Sequence, residues 1–524
     1  FLMPLFRPGA IIVPESEGFL HMDRMLPRCT PEEAGIASKT LENLLDALED
    51  TGTEMHGLMI ARHGKVCAEG WWAPYAPNLV HGDQSLTKTY TITALGLLHD
   101  EGKLELEEKL VDIFPQYMPE VISENLQAMT VRNLMSFGSG VEQMVSIADA
   151  DWLRRFFALP VTNPPGSSFF YSGVCTAVGG AIVRERTGMG LIAYLTPRLF
   201  DKIGIDASHI KTIYTGDGLE YGGGGFFTTT EDNLRLMLLY ARGGLWDGER
   251  VLSGEWCREV TSKQIDTASE AAGNPGVTDN FMGYGLQCWM CKPHGAYRAD
   301  GAMGQFAIVV PTSDLVISIN ETADQSKLQH QKVLDTIWTQ LLPHVTDEPL
   351  PPNPDACAHL TTRLRSLCLP RPLFTAVSSL ASTVSGKTYQ LAENSAILLP
   401  AATFMAYGLE NRGIRDFSLV FSDADTALLH WTQKDAKLNC RIGLSGNDAV
   451  NQGRYGPAGL KWLHASGGWE SPDTFCFRLR MVESCFSKTV RIRFEAKGCM
   501  FIIEAPVANP GEPVGTMEIP GVRI

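Results

Sequence analysis

No stretch of this chain holds the roughly 18 consecutive apolar residues that a membrane-spanning helix needs, so no membrane span is expected. Basic charge is also scarce. Lys and Arg number 44 against 59 Asp and Glu, for a formal net charge of -15, and no long basic run offsets the balance. Such a chain has little to offer a phosphate backbone, which excludes nucleic acid as an expected partner. The twelve cysteines, spread from Cys29 to Cys499, include one CxxC pair, Cys288 and Cys291. A zinc site would need a second pair or histidines at ligand spacing, and the sequence has neither. In so long a chain scattered cysteines are read as reduced, buried, small apolar residues. The N-terminal "FLMPLFRPGAIIVP" is apolar, but Pro4, Arg7 and Pro8 interrupt it and no small-residue cleavage site follows. A cytoplasmic protein is the expectation, with an upstream segment left open by the start at Phe1.

What is present is organised in two textures. At 524 residues the chain is long enough for two to four domains. Residues 31–50 place Leu41, Leu44, Leu45 and Leu48 on one helical face. "HGLMIARHGKVCAEGWW" reads as a hairpin turning at His63-Gly64. From about 86 to 215 the pattern is mainly helical, and "GGGGFFTTTEDNLRLMLLYARGG" gives a glycine-rich loop, a threonine cap and an apolar helix. "MGYGLQCWMC", "AYRADGAMGQFAIVVP" and "DLVISINET" follow as strands, and "KLQHQKVLDTIWTQLL" as a closing helix. That is an α+β arrangement with a helical insertion rather than regular βαβ alternation. "DEPLPPNPD", residues 347–355, reads as a stiff proline-rich linker. Short β-type runs then succeed one another, among them "SAILLP", "FSLVFS", "ALLHWT", "FCFRLRMV", "TVRIRFEA" and "CMFIIEA". They predict an all-β domain, a small barrel or sandwich. The expected division is an N-terminal extension at 1–25, an α+β domain at 26–345, a linker at 346–371 and a β-rich domain at 372–524.

Chemistry enters at "DQSLTKTYTI". Ser85 and Lys88 form a Ser-x-x-Lys pair, a pattern expected about twice by chance in this length. It does occur twice, here and at Ser208/Lys211. After Ser85 the residues Leu86, Tyr90, Ala94 and Leu97/Leu98 make a buried helical stripe that Gly102 is placed to end. Ser85 and Lys88 then share a face, with the serine beside free N–H groups at a helix start. The plain reading of that serine is an N-cap and of the lysine a solvated side chain. After Ser208 no helix follows.

Two further segments change the balance. "NPPGSSFFYSGVCTAVGGAIVRE" presents Tyr171 after a Pro-Pro-Gly turn and before a helix. "YRADGAMGQFAIVV" is a strand with glycines at 301 and 304, where a backbone can approach a ligand closely. In this order the three segments resemble the serine β-lactamase and penicillin-binding-protein superfamily. The branch is that of class C β-lactamases, D-aminopeptidases, aminohexanoate-oligomer hydrolases and family VIII esterases. "LPRCTPEEAGI" and "MTVRNLMSFGSGV" are supporting landmarks, and the resemblance spans residues 26–345.

The resemblance implies a β-lactamase/DD-peptidase-like domain, an antiparallel sheet flanked by helices plus a helical lobe. It implies that Ser85 is the acylated nucleophile, Lys88 the base and Tyr171 a proton relay. The oxyanion hole would be the backbone N–H groups of Ser85 and Ala302, with Gly173, Asp300 and Gly301 at the substrate. No metal or organic cofactor is implied, and the partner would be a small ester, amide or peptide. Two departures stand out. The asparagine of Tyr-x-Asn is replaced by Gly173, and the Lys/His-Thr-Gly motif reads Ala299-Asp300-Gly301. The cation that meets a substrate carboxylate is missing, and Arg298, next to Ala299, points to the opposite face of a strand. Efficient β-lactamase activity is therefore not expected. An esterase or amidase fits, with a D-amino-acid peptidase that uses Asp300 to hold an amine, an acyltransferase, or a non-catalytic binding protein as alternatives. Oligomeric state is left open.

Overall fold

The structure, a computed structural model, describes residues 25–267, 276–370, 374, 378–400, 412–444, 446–505 and 515–524. The apolar N-terminal run, and with it almost all of the extension at 1–25, lies outside the described residues. Helix α1 (Ser38–Asp50) buries Leu41, Leu44, Leu45 and Leu48, the face read from the sequence. Strands β1 (Glu54–Arg62) and β2 (Lys65–Trp71) form the hairpin, its turn made by His63 at φ 50° and Gly64 at φ 71°. They join β3 (Trp289–Met290), β4 (Tyr297–Gly301), β5 (Gln305–Val310) and β6 (Leu315–Thr322) in a six-stranded sheet ordered β2-β1-β6-β5-β4-β3. Every neighbouring pair is antiparallel.

Strand alternation gives the sheet two apolar faces. Leu58, Ile60, Phe306, Ile308, Ile317 and Ile319 pack with α1 and with Val333 and Leu334 of α5 (Gln329–Thr336). Met59, Ala61, Tyr297, Ala299, Ala307, Val309 and Val316 face the helical lobe. That lobe is built around α2 (Thr87–Asp100), α3 (Gly173–Thr187) and α4 (Thr230–Ala241), the last opened by a Thr229/Asp232 capping box. The stripe expected on α2 is wider than a stripe. Every residue from Thr87 to Leu98 is buried, so this is a central helix enclosed on all sides. Gly102, at φ 66°, follows its end.

The stretch expected to be a linker, 346–371, contains a helix. Helix α6 (Pro354–Arg365) starts on an Asn353 cap with proline at its first position. It lies on the catalytic unit, with Arg363 paired to Asp46 of α1 at 2.6 Å. Beyond it a ten-stranded sheet winds into a barrel that closes where Gly443 bridges Ser466. Phe417, Leu429, Leu463, Phe475, Phe477, Leu479, Ile492 and Phe501 are buried in it. The run "SAILLP" is no strand, although Ala396 and Leu398 are buried. Five strands that the sequence reading did not single out complete the barrel: Thr388–Leu391, Ala436–Gly443, Ala449–Tyr455, Leu460–Ser471 and Gly515–Arg523. The fold is thus an α+β catalytic domain followed by an all-β domain. Among the described residues no helix is long and apolar enough to cross a membrane.

Candidate active site

Ser85 sits in the short turn Gln84–Leu86 that leads into α2. The residue before it, Gln84, has φ 51°, a left-handed conformation that costs a non-glycine residue on the order of 1 kcal/mol. Its surroundings hold it there. The Asp83 N–H donates to the Phe226 carbonyl at 3.0 Å and the Gly82 N–H to the Glu483 carbonyl at 3.0 Å. The buried Asp83 carboxyl accepts from Thr228 Oγ1 and Asn233 Nδ2, each at 2.9 Å, and Tyr90 donates to Asn233 Oδ1 at 3.0 Å. Burial pushes the Asp83 acid well above the usual carboxylate range. Ser85 is not a cap, since no side chain caps α2.

One turn on, Lys88 is only 2% exposed. Its Nζ donates to Ser85 Oγ at 2.8 Å and to the Gly223 carbonyl at 2.5 Å. Burial pushes its pKa down to about 7, with the more distant Asp300 charge opposing that shift. Nζ also lies 4.9 Å from the centre of the Tyr171 ring. That ring is stacked on Trp289 at 5.6 Å and meets Phe137 edge-on at 4.8 Å, which fixes its plane. The three residues of the sequence reading therefore converge. The second Ser-x-x-Lys match does not form such a pair: Ser208 is exposed and Lys211 is ion-paired with Glu483.

The third segment behaves differently from its reading. Gly301 makes a close approach, but to protein: a Cβ there would lie 2.1 Å from the Asp83 carbonyl oxygen. Gly304, at φ 86°, leaves room for the buried Glu321 carboxyl, 1.8 Å from where its Cβ would be. Asp300, expected beside the substrate, commits its carboxylate elsewhere. Oδ2 accepts from Arg298 Nε at 2.7 Å and lies 3.1 Å from His330 Nε2. Arg298 and Asp300 are opposite Ile308 and Phe306 in register, so both point to the α1/α5 face, whereas Ala299 faces the lobe that carries Ser85. Burial alone would raise the Asp300 acid; the His330 and Arg298 charges bring it below its usual value.

One wall had no counterpart in the sequence reading. The loop between the barrel strands Thr474–Met481 and Ser487–Phe494 reaches the site. Cys485 and Phe486 pack on Met303 and Ala302, and the Cys485 carbonyl accepts from Thr322 Oγ1 at 2.6 Å. The loop is locked by Arg480, which pairs with Glu54 and lies 3.5 Å from the Tyr75 hydroxyl, and Tyr75 itself donates to the Ser484 carbonyl at 3.1 Å. Among the described residues no cluster of His, Cys, Asp and Glu is placed to hold a metal ion.

The chain is similar to known proteins. The chain is 26% identical over 302 residues to the 6-aminohexanoate-dimer hydrolase of Paenarthrobacter ureafaciens, covering 53% of this chain and 74% of that protein. It is 27% identical over 274 residues to penicillin-binding protein 4 of Amycolatopsis lactamdurans, covering 45% and 70%. Among solved structures, the octameric penicillin-binding protein homologue from Pyrococcus abyssi superposes with a TM-score of 0.45 at 13% identity, over 92% of this chain and 99% of that one. A family profile described as Beta-lactamase matches residues 43–335, more than half the chain, and with it the protein belongs to the β-lactamase and penicillin-binding-protein superfamily of serine hydrolases.

Proposed function

We propose that the protein hydrolyses an ester or amide through an acyl-enzyme on Ser85. The observation that carries this reading is the 2.8 Å hydrogen bond from a buried, readily deprotonated Lys88 to Ser85 Oγ. A neutral Lys88 takes the Ser85 proton as Oγ bonds to the carbonyl carbon. The N–H groups of Ser85 and Ala302 stabilise the oxyanion. Tyr171 passes a proton to the leaving group as the scissile bond breaks, and water, deprotonated by the same groups, releases the acyl chain. In this reading residues 26–345 form the catalytic unit, and the barrel closes one side of its cleft.

Substrate choice follows from what the site omits. Ala299 supplies no cation for a carboxylate, and Asp300 faces away, so neither a β-lactam carboxylate nor a free amine has a partner there. A neutral ester or amide fits, and the relative named as a dimer hydrolase supports hydrolysis as the outcome.

Intact-mass measurement after treatment with a fluorophosphonate tests the nucleophile. One adduct is expected on the protein and none on Ser85→Ala; an equal adduct on the variant would sink the assignment. Short-chain aryl esters should be turned over faster than D-amino-acid anilides or a chromogenic cephalosporin, and a cephalosporin rate rivalling the esters would contradict the substrate reading. The labelling rate should rise with pH through about 7, as Lys88 loses its proton. Asp300→Asn removes a charge that holds this pKa up and leaves Arg298 unpaired, so the midpoint should move down by about one unit. A midpoint that stays or rises would show that Lys88 does not set the limb.

A further inference from the structure

The glycine that replaces the expected asparagine has a structural cause. No left-handed angle requires glycine at 173, the first residue of α3. What requires it is Tyr221: a Cβ at 173 would lie 2.3 Å from Tyr221 Oη, with Cζ at 3.5 Å and the Gly223 carbonyl oxygen at 3.7 Å. The phenol oxygen thus fills the volume into which a side chain at 173 would project. The glycine run after Tyr221 houses the ring. A Cβ on Gly223 would meet Cε2 and Cζ at 2.8 Å, and one on Gly224 would lie 3.4 Å from Cε1 and 3.6 Å from the Gln84 backbone. Gly223 is also the residue whose carbonyl receives Lys88 Nζ. Tyr221 is therefore wedged between the segment that bears Ser85, the carbonyl that holds Lys88 and the start of α3.

We propose that Tyr221 is a specificity-determining residue standing where the asparagine would be, so that its hydroxyl meets the acyl half of the substrate. The inference rests on the Ser85–Lys88 reading above. A carboxamide presents a donor and an acceptor side by side and so matches an amide in the acyl chain. A phenol presents one O–H at one point. It suits an acyl group with a single hydrogen-bonding oxygen near the scissile carbonyl, such as an alkoxyacyl or hydroxyacyl ester.

The p-nitrophenyl esters of methoxyacetate and butyrate differ by one oxygen at nearly constant shape, and they test this directly. In Tyr221→Phe the ratio of kcat/KM for methoxyacetate to that for butyrate should fall about five- to tenfold from its value in the unmutated protein. A role in packing alone would lower both esters together, so an unchanged ratio overturns the proposal. A second arm uses Gly173→Asn, which should be at least tenfold more damaging to kcat/KM with Tyr221 in place than in a Tyr221→Ala background. Equal damage in both backgrounds overturns the claim that the two positions share one volume. Fluorophosphonate labelling separates the two levels. Labelled Ser85 with an unchanged ester ratio removes only the role of Tyr221, whereas an unlabelled Ser85 in the unmutated protein removes the reading beneath it.

Discussion

Lys88→Met should lower kcat/KM by about 10³–10⁴-fold and at the same time make the fold more stable at neutral and acidic pH. The catalytic loss follows from removing the only group hydrogen-bonded to Ser85 Oγ among the described contacts. The gain in stability follows from where the lysine is held. An unfolded lysine keeps its proton to about pH 10.4, whereas in the fold burial brings the pKa down to about 7. Below pH 7 both states are protonated and the cost of enclosing the ammonium is fully present. Between pH 7 and about 10.4 the unfolded chain binds the extra proton, so stability rises with pH until that cost is relieved. The shift corresponds to an upper bound of roughly 4–5 kcal/mol. Loss of the bond to the Gly223 carbonyl offsets part of it, by about 1–3 kcal/mol. A net gain of about 1–3 kcal/mol is therefore expected at pH 6, shrinking to zero or below at pH 10. Urea unfolding of both proteins at the two pH values reads it. A variant equally destabilised at both would show that Lys88 carries no buried-charge cost.

Such a pairing of catalytic need with structural cost is partly visible in the sequence. Ser85 and Lys88 could be found because an apolar helix follows them, and Tyr171 because a turn and a second helix frame it. The hairpin at His63-Gly64 and the Thr229 cap are local signals and formed where the pattern placed them. Other features arise from contacts between distant parts of the chain. Strand parity separates Arg298 from Ala299, but it does not say which face meets the lobe; only the register with Phe306 and Ile308 turns Asp300 away from Ser85. Tyr221 left no motif because its place is made by side chains that are absent, at Gly173, Gly223 and Gly224. The polar strands Ala436–Gly443 and Ala449–Tyr455 are held by ladder hydrogen bonds more than by burial, so hydrophobic alternation passed over them. Helix α6 was hidden by the prolines of its own start signal, Asn353-Pro354. The loop at 482–486 packs against residues far away in sequence, and nothing in its own composition points there.

That loop sets the last expectation. Arg480→Met should cost about 2–4 kcal/mol of stability, because it leaves the Glu54 carboxylate without its main partner at the junction of barrel and catalytic domain. The figure stays below that of a fully enclosed pair because Glu54 keeps 26% of its side chain exposed. Burial alone would raise the Glu54 acid, yet Arg480 and then His56 hold it well below its usual value. A carboxylate with a depressed pKa contributes stability above its unfolded value near 4.3, which is lost as pH falls through the folded one. Removing Arg480 takes that contribution away, so the variant should lose most at neutral pH and converge on the unmutated protein in acid. Glu54→Leu added to Arg480→Met should recover part of the loss, because the carboxylate left behind by Arg480 is removed, while Arg478, 3.8 Å from Glu54, gives up that partner. Activity should fall too, by about ten- to a hundredfold in kcat/KM, on the scale of small misplacements at a reacting centre. The path is short: Arg480 and Tyr75 hold the loop, Glu483 receives the Gly82 N–H ahead of Ser85, and Cys485 and Phe486 press on Ala302 and Met303. Wild-type kcat/KM in a folded Arg480→Met protein would show that the barrel is attached to the catalytic domain without shaping its site.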